Sequence, residues 1–598
     1  MSRRRRGIRA ASPGPALALV LAALLPGLRC RGPYAGPFVV ELRDLVVRYH
    51  PATAEPAGGG VARVCFALEI ESRAGVPLEV MLLAASTSPA TRVVDASARF
   101  PRLAPGERVG SLDPICVEHD TTELFTERSL ELLDLDRYFG WRAVESLATG
   151  RFRVEEIDGV WWFITPEGHG FYSIGVTGFD EVGDVSPALG TAPYRDHVLG
   201  RYGSREAWAE VAQDRFRAWG YNTVGGWSDP TLFRDRIPYM ENGHFNTVAP
   251  AVPGVPVSFG KTMRDYFDPA FETGARDYAE RFRDCAENPF CIGVYTDNEQ
   301  PWGRSILQPT TYLEAYLGMA PGSPGKRAVQ AFFEARYAGD IGAFNQVWGT
   351  ELPDFDAIQG LDGLGGSIYT EAEARRQDRL AFLRTVSERY HRVVHDALRA
   401  VSPDLLILGS RFFGAVSNRG VVEVSAPFVD VVSVNNYDFD PVVRSAFFRD
   451  LLEGELLDHL FLDDAFSDLA TVHRLTGRPV LVTEWFYRLR RGDSLPPFLP
   501  EVPDEASRVA AYTAYITRVA EMPFMLGTHW FQWQDQPEEG RSDGENQVIG
   551  LVDIHDDPHV PLVGRMAEVQ GALLPLRAML RGAPPGGAEG RSGGDAAR

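Results

Sequence analysis

The 598-residue chain is longer than one hydrophobic core supports, so two folded units with flexible ends are expected. It carries 60 basic against 81 acidic residues, a formal charge of −21, which speaks against a nucleic-acid groove or an anionic membrane surface as main partner and favours a neutral or small one.

The first 31 residues differ in kind from the rest. Arg3 to Arg6 form a basic start, residues 16–28 an apolar run, and Cys30 closes the segment, the pattern of a secretory signal peptide too short to span a bilayer. Leu28, Arg29 and Cys30 stand where a lipoprotein processing site places its lipidated cysteine, so secretion and a lipid anchor at Cys30 both remain open. No later stretch has the length and apolarity of a transmembrane helix.

Residues 36–145 alternate apolar and polar side chains in short runs, such as 38–42 and 64–71, with turn signals at Gly58 to Gly60 and Ala104 to Gly106. This texture predicts a small β-sandwich, serving either as a folding and docking unit or as a carbohydrate-binding module. Export permits disulfides among Cys65, Cys116, Cys285 and Cys291. Cys65 with Cys116 is the favoured pair, whereas Cys285 and Cys291 fit equally well as buried thiols. Neither a CxxC pair nor a histidine cluster suggests a metal site.

From 155 to 580 the pattern is that of an α/β protein. Residues 159–168 read as a hairpin, and apolar runs at 170–177, 223–226, 290–296, 405–409, 429–434, 480–483 and 526–531 read as parallel strands buried on both faces, with one more at 246–249 or 237–240. Between them lie amphipathic helices; in 371–401, Leu380, Leu383, Val386, Tyr390, Val394 and Leu398 recur at helical spacing and Pro403 stops the run. A (β/α)8 TIM barrel after the sandwich fits this alternation better than an open doubly wound sheet, because no glycine-rich phosphate loop follows any strand. The segment 582–598, rich in glycine, alanine and arginine, is expected to be disordered.

In such a barrel the chemistry sits at the C-terminal strand ends. The run 290–296 ends in Asp297, Asn298 and Glu299, and the run 480–483 ends in Glu484 and Trp485. Hydrolysis of a glycosidic bond with retention needs an acid that protonates the leaving oxygen and a carboxylate that attacks the anomeric carbon, about 5–5.5 Å apart. Glu299 is the candidate acid/base and Glu484 the candidate nucleophile. The bland reading of a single strand-end glutamate is a capping or salt-bridge residue; two at matching positions weaken it. Trp227, Trp302, Tyr437, Trp485, Trp530 and Trp533 fall at or just past strand ends, where aromatic planes could stack on sugar rings, and Gln532, Gln534 and Asp535 alternate with them.

These motifs resemble the glycoside hydrolase clan A barrels, whose acid/base glutamate follows an asparagine and whose nucleophile ends a later strand. Within that clan the chain is similar to family 50 β-agarases, through residues 161–169, 219–223, 288–299, 345–350, 530–537 and 543–546. The resemblance implies hydrolysis of β-linked, galactose-containing polysaccharide, agarose first, by an exported enzyme without a metal or organic cofactor. It implies further that Asn298 meets the 2-hydroxyl of the −1 sugar, that Tyr437 holds the nucleophile, and that Arg411 adds a polar contact. The run 485–493 departs from the His/Gly-containing loop that usually follows the nucleophile in that family. Another activity of the clan (β-galactosidase, mannanase, glucanase) and a catalytically silent carbohydrate-binding protein are the alternatives.

Overall fold

A computed structural model describes residues 34, 36–255, 261–302, 310–365, 372–413, 417–437, 468–489 and 499–581. The expected signal peptide with Cys30, and the tail from 582, lie outside the described residues.

The N-terminal region is antiparallel. Its strands are β1 (Phe38–Leu42), β2 (Leu45–Gly58), β3 (Val61–Ser72), β4 (Val80–Ser86), β5 (Thr91–Asp95), β6 (Ser97–Arg99), β7 (Arg108–Gly110), β8 (Ile115–Asp120), β9 (Leu130–Asp136) and β10 (Trp141–Glu145). One sheet runs β1-β2-β3-β8-β5, with β7 also paired to β3. In β3 the period-two pattern puts Val64, Phe66, Leu68 and Ile70 inward, where they meet Leu82, Ala84 and Leu132 of the other sheet in a core of their own. Cys65 and Cys116 face each other across β3 and β8 and form a disulfide, Cα–Cα 4.0 Å. The second sheet does not stop at residue 145. It continues through β11 (Arg153–Ile157), β12 (Val160–Ile164) and β13 (His169–Phe171) in the order β11-β12-β13-β10-β9-β4-β6, the turn between β12 and β13 being the expected hairpin.

The remainder is a curled, parallel eight-stranded sheet with helices outside it: β14 (Ser173–Val176), β15 (Thr223–Val224), β16 (Tyr239–Asn242), β17 (Cys291–Tyr295), β18 (Phe412–Phe413), β19 (Val432–Asn435) and β20 (Val480–Trp485), then the short pair β21 (Arg488–Leu489) and β22 (Glu501–Val502), and finally β23 (Met525–Trp530). The order is β17-β16-β15-β14-β23-β20-β19-β18. Val294 donates to Leu406 O (3.0 Å) and accepts from Leu408 N (2.9 Å), and Thr296 N donates to Gly409 O (2.8 Å), so the chain entering β18 bonds to β17 at the other end of the path. β17, β19, β20 and β23 are buried at every position, which is why they read as unbroken apolar runs.

Three expectations need adjusting. Of the two segments offered for the extra strand, the later part of 237–240 belongs to β16, whereas Phe245–Val248 is a 3-10 turn. The run 405–409 bonds to β17, but the pairing with β19 begins later, at Phe412. Cys285 and Cys291 are not free thiols; they form a disulfide (Cα–Cα 5.2 Å) across the turn that leads into β17. The long helix spans Glu373–Val401 and buries Phe382, Val386, Tyr390, Val394 and Leu398, as its spacing predicts. No helix among the described residues is long and apolar enough to cross a membrane.

Candidate active site

Glu484 is the penultimate residue of β20 and a buried side chain, and β19 runs beside it, with Asn435 opposite Glu484 after a register shift. Its Oε1 accepts from Trp227 Nε1 at 2.6 Å and from Arg411 Nη2, and its Oε2 accepts from the Tyr437 hydroxyl at 2.7 Å. Burial pushes the Glu484 carboxyl above the usual range; the Arg411 cation pulls it back, the Glu299 charge pushes with burial, and the bonds from Trp227 and Tyr437 favour the anion. Burial and the Glu484 charge raise Tyr437 well above its ordinary value, so its hydroxyl keeps the proton it donates.

Glu299 lies just past β17. Its Oε1 accepts from Asn435 Nδ2 at 2.8 Å, and the same amide nitrogen reaches Asn298 Oδ1 at 3.0 Å. Thr483 Oγ1 donates to Asn435 Oδ1 at 2.7 Å and fixes that amide's orientation. Glu299 N donates to the Arg411 carbonyl at 3.3 Å while the Arg411 side chain holds Glu484. Asn435 and Arg411 thus tie the two carboxylates into one network from strands far apart in the chain.

Glu299, Trp227 and Arg411 all adopt left-handed backbone angles, with φ of 46°, 62° and 51°. Such conformations cost about 1–3 kcal/mol each for residues other than glycine and gather at functional sites, where the surrounding structure enforces them. Gly226 leaves room for the arrangement, because a Cβ there would come within 2.9 Å of Arg411 Nη1.

Of the residues proposed from sequence, the structure brings together Glu299, Glu484, Asn298, Arg411, Tyr437 and Trp227. Trp227, 37% exposed, is the one aromatic among the exposed large apolar side chains described. The Arg411 guanidinium lies 5.0 Å from its ring centre and His244 stacks on it at 5.7 Å.

The other tryptophans are core residues rather than sugar platforms. Trp302 is buried among Tyr266, Tyr390 and His391. Trp485 stacks on Tyr515 at 4.0 Å, Trp530 donates to Ile549 O, and Trp533 donates to the Tyr194 hydroxyl. Gln532 is buried and ties Asp184 through a 2.8 Å bond.

Sequence reasoning missed Asn435, His244 and Lys261. His244 sits beside Trp227, held below its ordinary value by burial and by the charges of Arg411, Arg281 and Lys261, so it stands neutral there. Asn435 carried a readable signal, since Asn435, Asn436 and Tyr437 form a polar run where an apolar strand ends. Behind the site, burial pushes the Asp297 carboxyl up to about 8 against bonds from Tyr390 and from Asn246 N.

Asp136, Glu167 and His169 form a separate trio with metal-ligand atoms close together. Asp136 is already saturated by Tyr138 N, Gly140 N, Thr165 Oγ1 and His169 Nδ1, so the trio reads as a structural network of the β12–β13 turn.

No protein-family model matches the chain. In sequence it is 26% identical to β-agarase A of Vibrio sp. (strain JT0107) over 460 residues, 68% of this chain and 44% of that protein. It is 25% identical to β-agarase B of the same strain over 492 residues, 71% of this chain and 48% of that one. This chain is similar to β-agarases. It spans about half the length of these curated relatives. In fold it is similar to an exo-β-agarase (TM-score 0.61, 20% identity, 90% of this chain and 98% of that one) and to the agarase AgWH50C (TM-score 0.59, 20% identity, 88% and 97%).

Proposed function

We propose that this protein is a retaining glycoside hydrolase of clan A type that cleaves β-linked galactose-containing polysaccharide, agarose or its oligosaccharides in the first instance. The curled parallel sheet from β14 onward is read as a (β/α)8 barrel, carried with a β-sandwich whose second sheet runs through β13, in an exported chain. The observation that carries the reading is the pairing of Glu299 with Glu484. Two glutamates at the ends of different strands share one hydrogen-bond network, and one of them has both carboxylate oxygens fixed by three donors.

The chemistry follows from those contacts. Trp227, Arg411 and Tyr437 hold Glu484 with its oxygens oriented for attack on the anomeric carbon, and the Arg411 cation favours the anion needed for it. Glu299 protonates the leaving glycosidic oxygen, then takes a proton from the water that releases the glycosyl-enzyme. Asn298 is placed to bond the 2-hydroxyl of the −1 sugar. The exposed large apolar side chains described in the sandwich, Val39, Val76, Leu112 and Leu124, are all aliphatic, which supports a docking role for it over sugar stacking.

The test is a screen of purified protein against agarose, porphyran, carrageenan, galactan, mannan and cellulose, with Glu299→Ala and Glu484→Ala alongside. Either substitution is expected to lower turnover by about 10³-fold or more with the fold retained. Azide should rescue Glu484→Ala and yield a glycosyl azide of inverted configuration, because the azide enters from the emptied nucleophile side. Near wild-type turnover by Glu484→Ala, or no product from any glycan, refutes the reading.

A further inference from the structure

Only two of the 60 basic residues in the chain are lysine, Lys261 and Lys326; the rest are arginine. Lys326 is fully buried and ties the carbonyls of Met319 (2.9 Å) and Leu361 (2.6 Å). Lys261 stands at the candidate site, on the chain between Phe245–Val248 and the helix Pro269–Ala279. Its Nζ donates to the carbonyls of Asn298 and Glu299, both at 2.9 Å, and lies 3.5 Å from Glu299 Oε2. An ammonium has three N–H groups in a tetrahedral fan, and here three acceptors surround it; the flat fork of a guanidinium cannot reproduce that set.

The two carbonyls belong to the residues whose backbone turns left-handed at Glu299, so the ammonium clamps that turn. Of the carboxylate oxygens, Oε1 accepts from Asn435 Nδ2 and Oε2 faces the Lys261 ammonium at ion-pair distance. When Glu299 is protonated on Oε2, its O–H meets only donors on the lysine side and must point away from it. The other titratable groups whose charge reaches Glu299 are Glu484, Tyr437 and Glu545, with the Arg411 backbone behind it.

We propose that Lys261 is the positioning residue of the acid/base: it holds Glu299 in its left-handed pose and directs the carboxyl proton to the leaving glycosidic oxygen. The inference rests on the role assigned to Glu299 above. Its consequence is a dependence on leaving group, since only a poor leaving group needs the proton.

The experiment uses the full chain with Lys261→Met and Lys261→Arg. On agaro-oligosaccharides, Lys261→Met is expected to lose about 10- to 100-fold in kcat/KM, part of the range open to general acid catalysis. On a dinitrophenyl β-galactoside, whose leaving group departs unaided, the loss should be under about threefold. Lys261→Arg should recover only part of the loss. Equal losses on both substrates, or none on either, overturn the proposal.

A second measurement needs no substrate. In protein labelled with [ε-13C]lysine the two lysines give two signals, and Glu299→Gln should move that of Lys261 and leave that of Lys326 in place; an unmoved Lys261 signal also overturns it. Because this readout does not depend on the glycan, a wild-type protein that cleaves nothing in the screen refutes the glycosidase reading and leaves the Lys261–Glu299 pairing separately decided.

Discussion

Arg411→Met is the perturbation that most directly probes how Glu484 is held. The Arg411 and Glu484 side chains are only 1% and 6% exposed, so solvent does little to screen their interaction. Removing the cation leaves an ionised carboxylate among Trp227 and Tyr437 alone. Breaking a buried ion pair from one side costs about 3–5 kcal/mol, and the lower end applies here because two neutral donors remain and the carboxyl can take up a proton.

That escape sets the pH dependence. Burial already raises Glu484, and losing the cation that lowers it raises it further. The folded variant therefore keeps a proton that the unfolded chain releases near pH 4. The destabilisation is small below that pH, where both states are protonated, and grows as pH rises toward the folded value. Urea midpoints at pH 4 and pH 7.5 measure it, and the acidic limb of the kcat/KM profile should shift to higher pH in parallel. In a double-mutant cycle, Glu484→Gln should recover most of the stability lost by Arg411→Met, since no buried charge then remains to be neutralised. A loss equal at both pH values, or strict additivity in the cycle, would refute the argument.

Two other predictions follow from buried polar groups away from the reacting atoms. Asp297, held up to about 8 by burial, keeps its proton in the folded state between about pH 4 and pH 8 while the unfolded chain has lost it. Its contribution to stability is whole below pH 4 and fades as pH rises through that window, so Asp297→Asn should flatten the stability profile over the same range, read from thermal midpoints in a pH series. Arg577 is fully buried, bonds the carbonyls of Ala520, Met522, Trp161 and Pro523, and lies over the rings of Tyr172 and Trp162. Arg577→Ala removes those bonds, leaving Met522 O and Pro523 O with only their backbone donors, and should cost about 3 kcal/mol in urea unfolding without changing KM.

The amino-acid sequence alone determined where the two carboxylates stand, because an apolar run that gives way to Asp297, Asn298 and Glu299, or to Glu484, is a buried strand reaching its polar end, and that signal is local. The alternation of β3 and the 3.6-residue spacing in Glu373–Val401 were legible for the same reason. Only the tertiary structure decided which tryptophans are exposed. Strands buried on both faces lose their alternation, so Trp485 and Trp530, packed among helices, look in sequence like residues at the barrel mouth, while Trp227 owes its exposure to a left-handed turn that no periodicity encodes. Asn435 and Lys261 likewise gained their places from contacts across 136 and 38 residues of chain, distances at which side-chain pairing depends on the folded geometry and not on spacing.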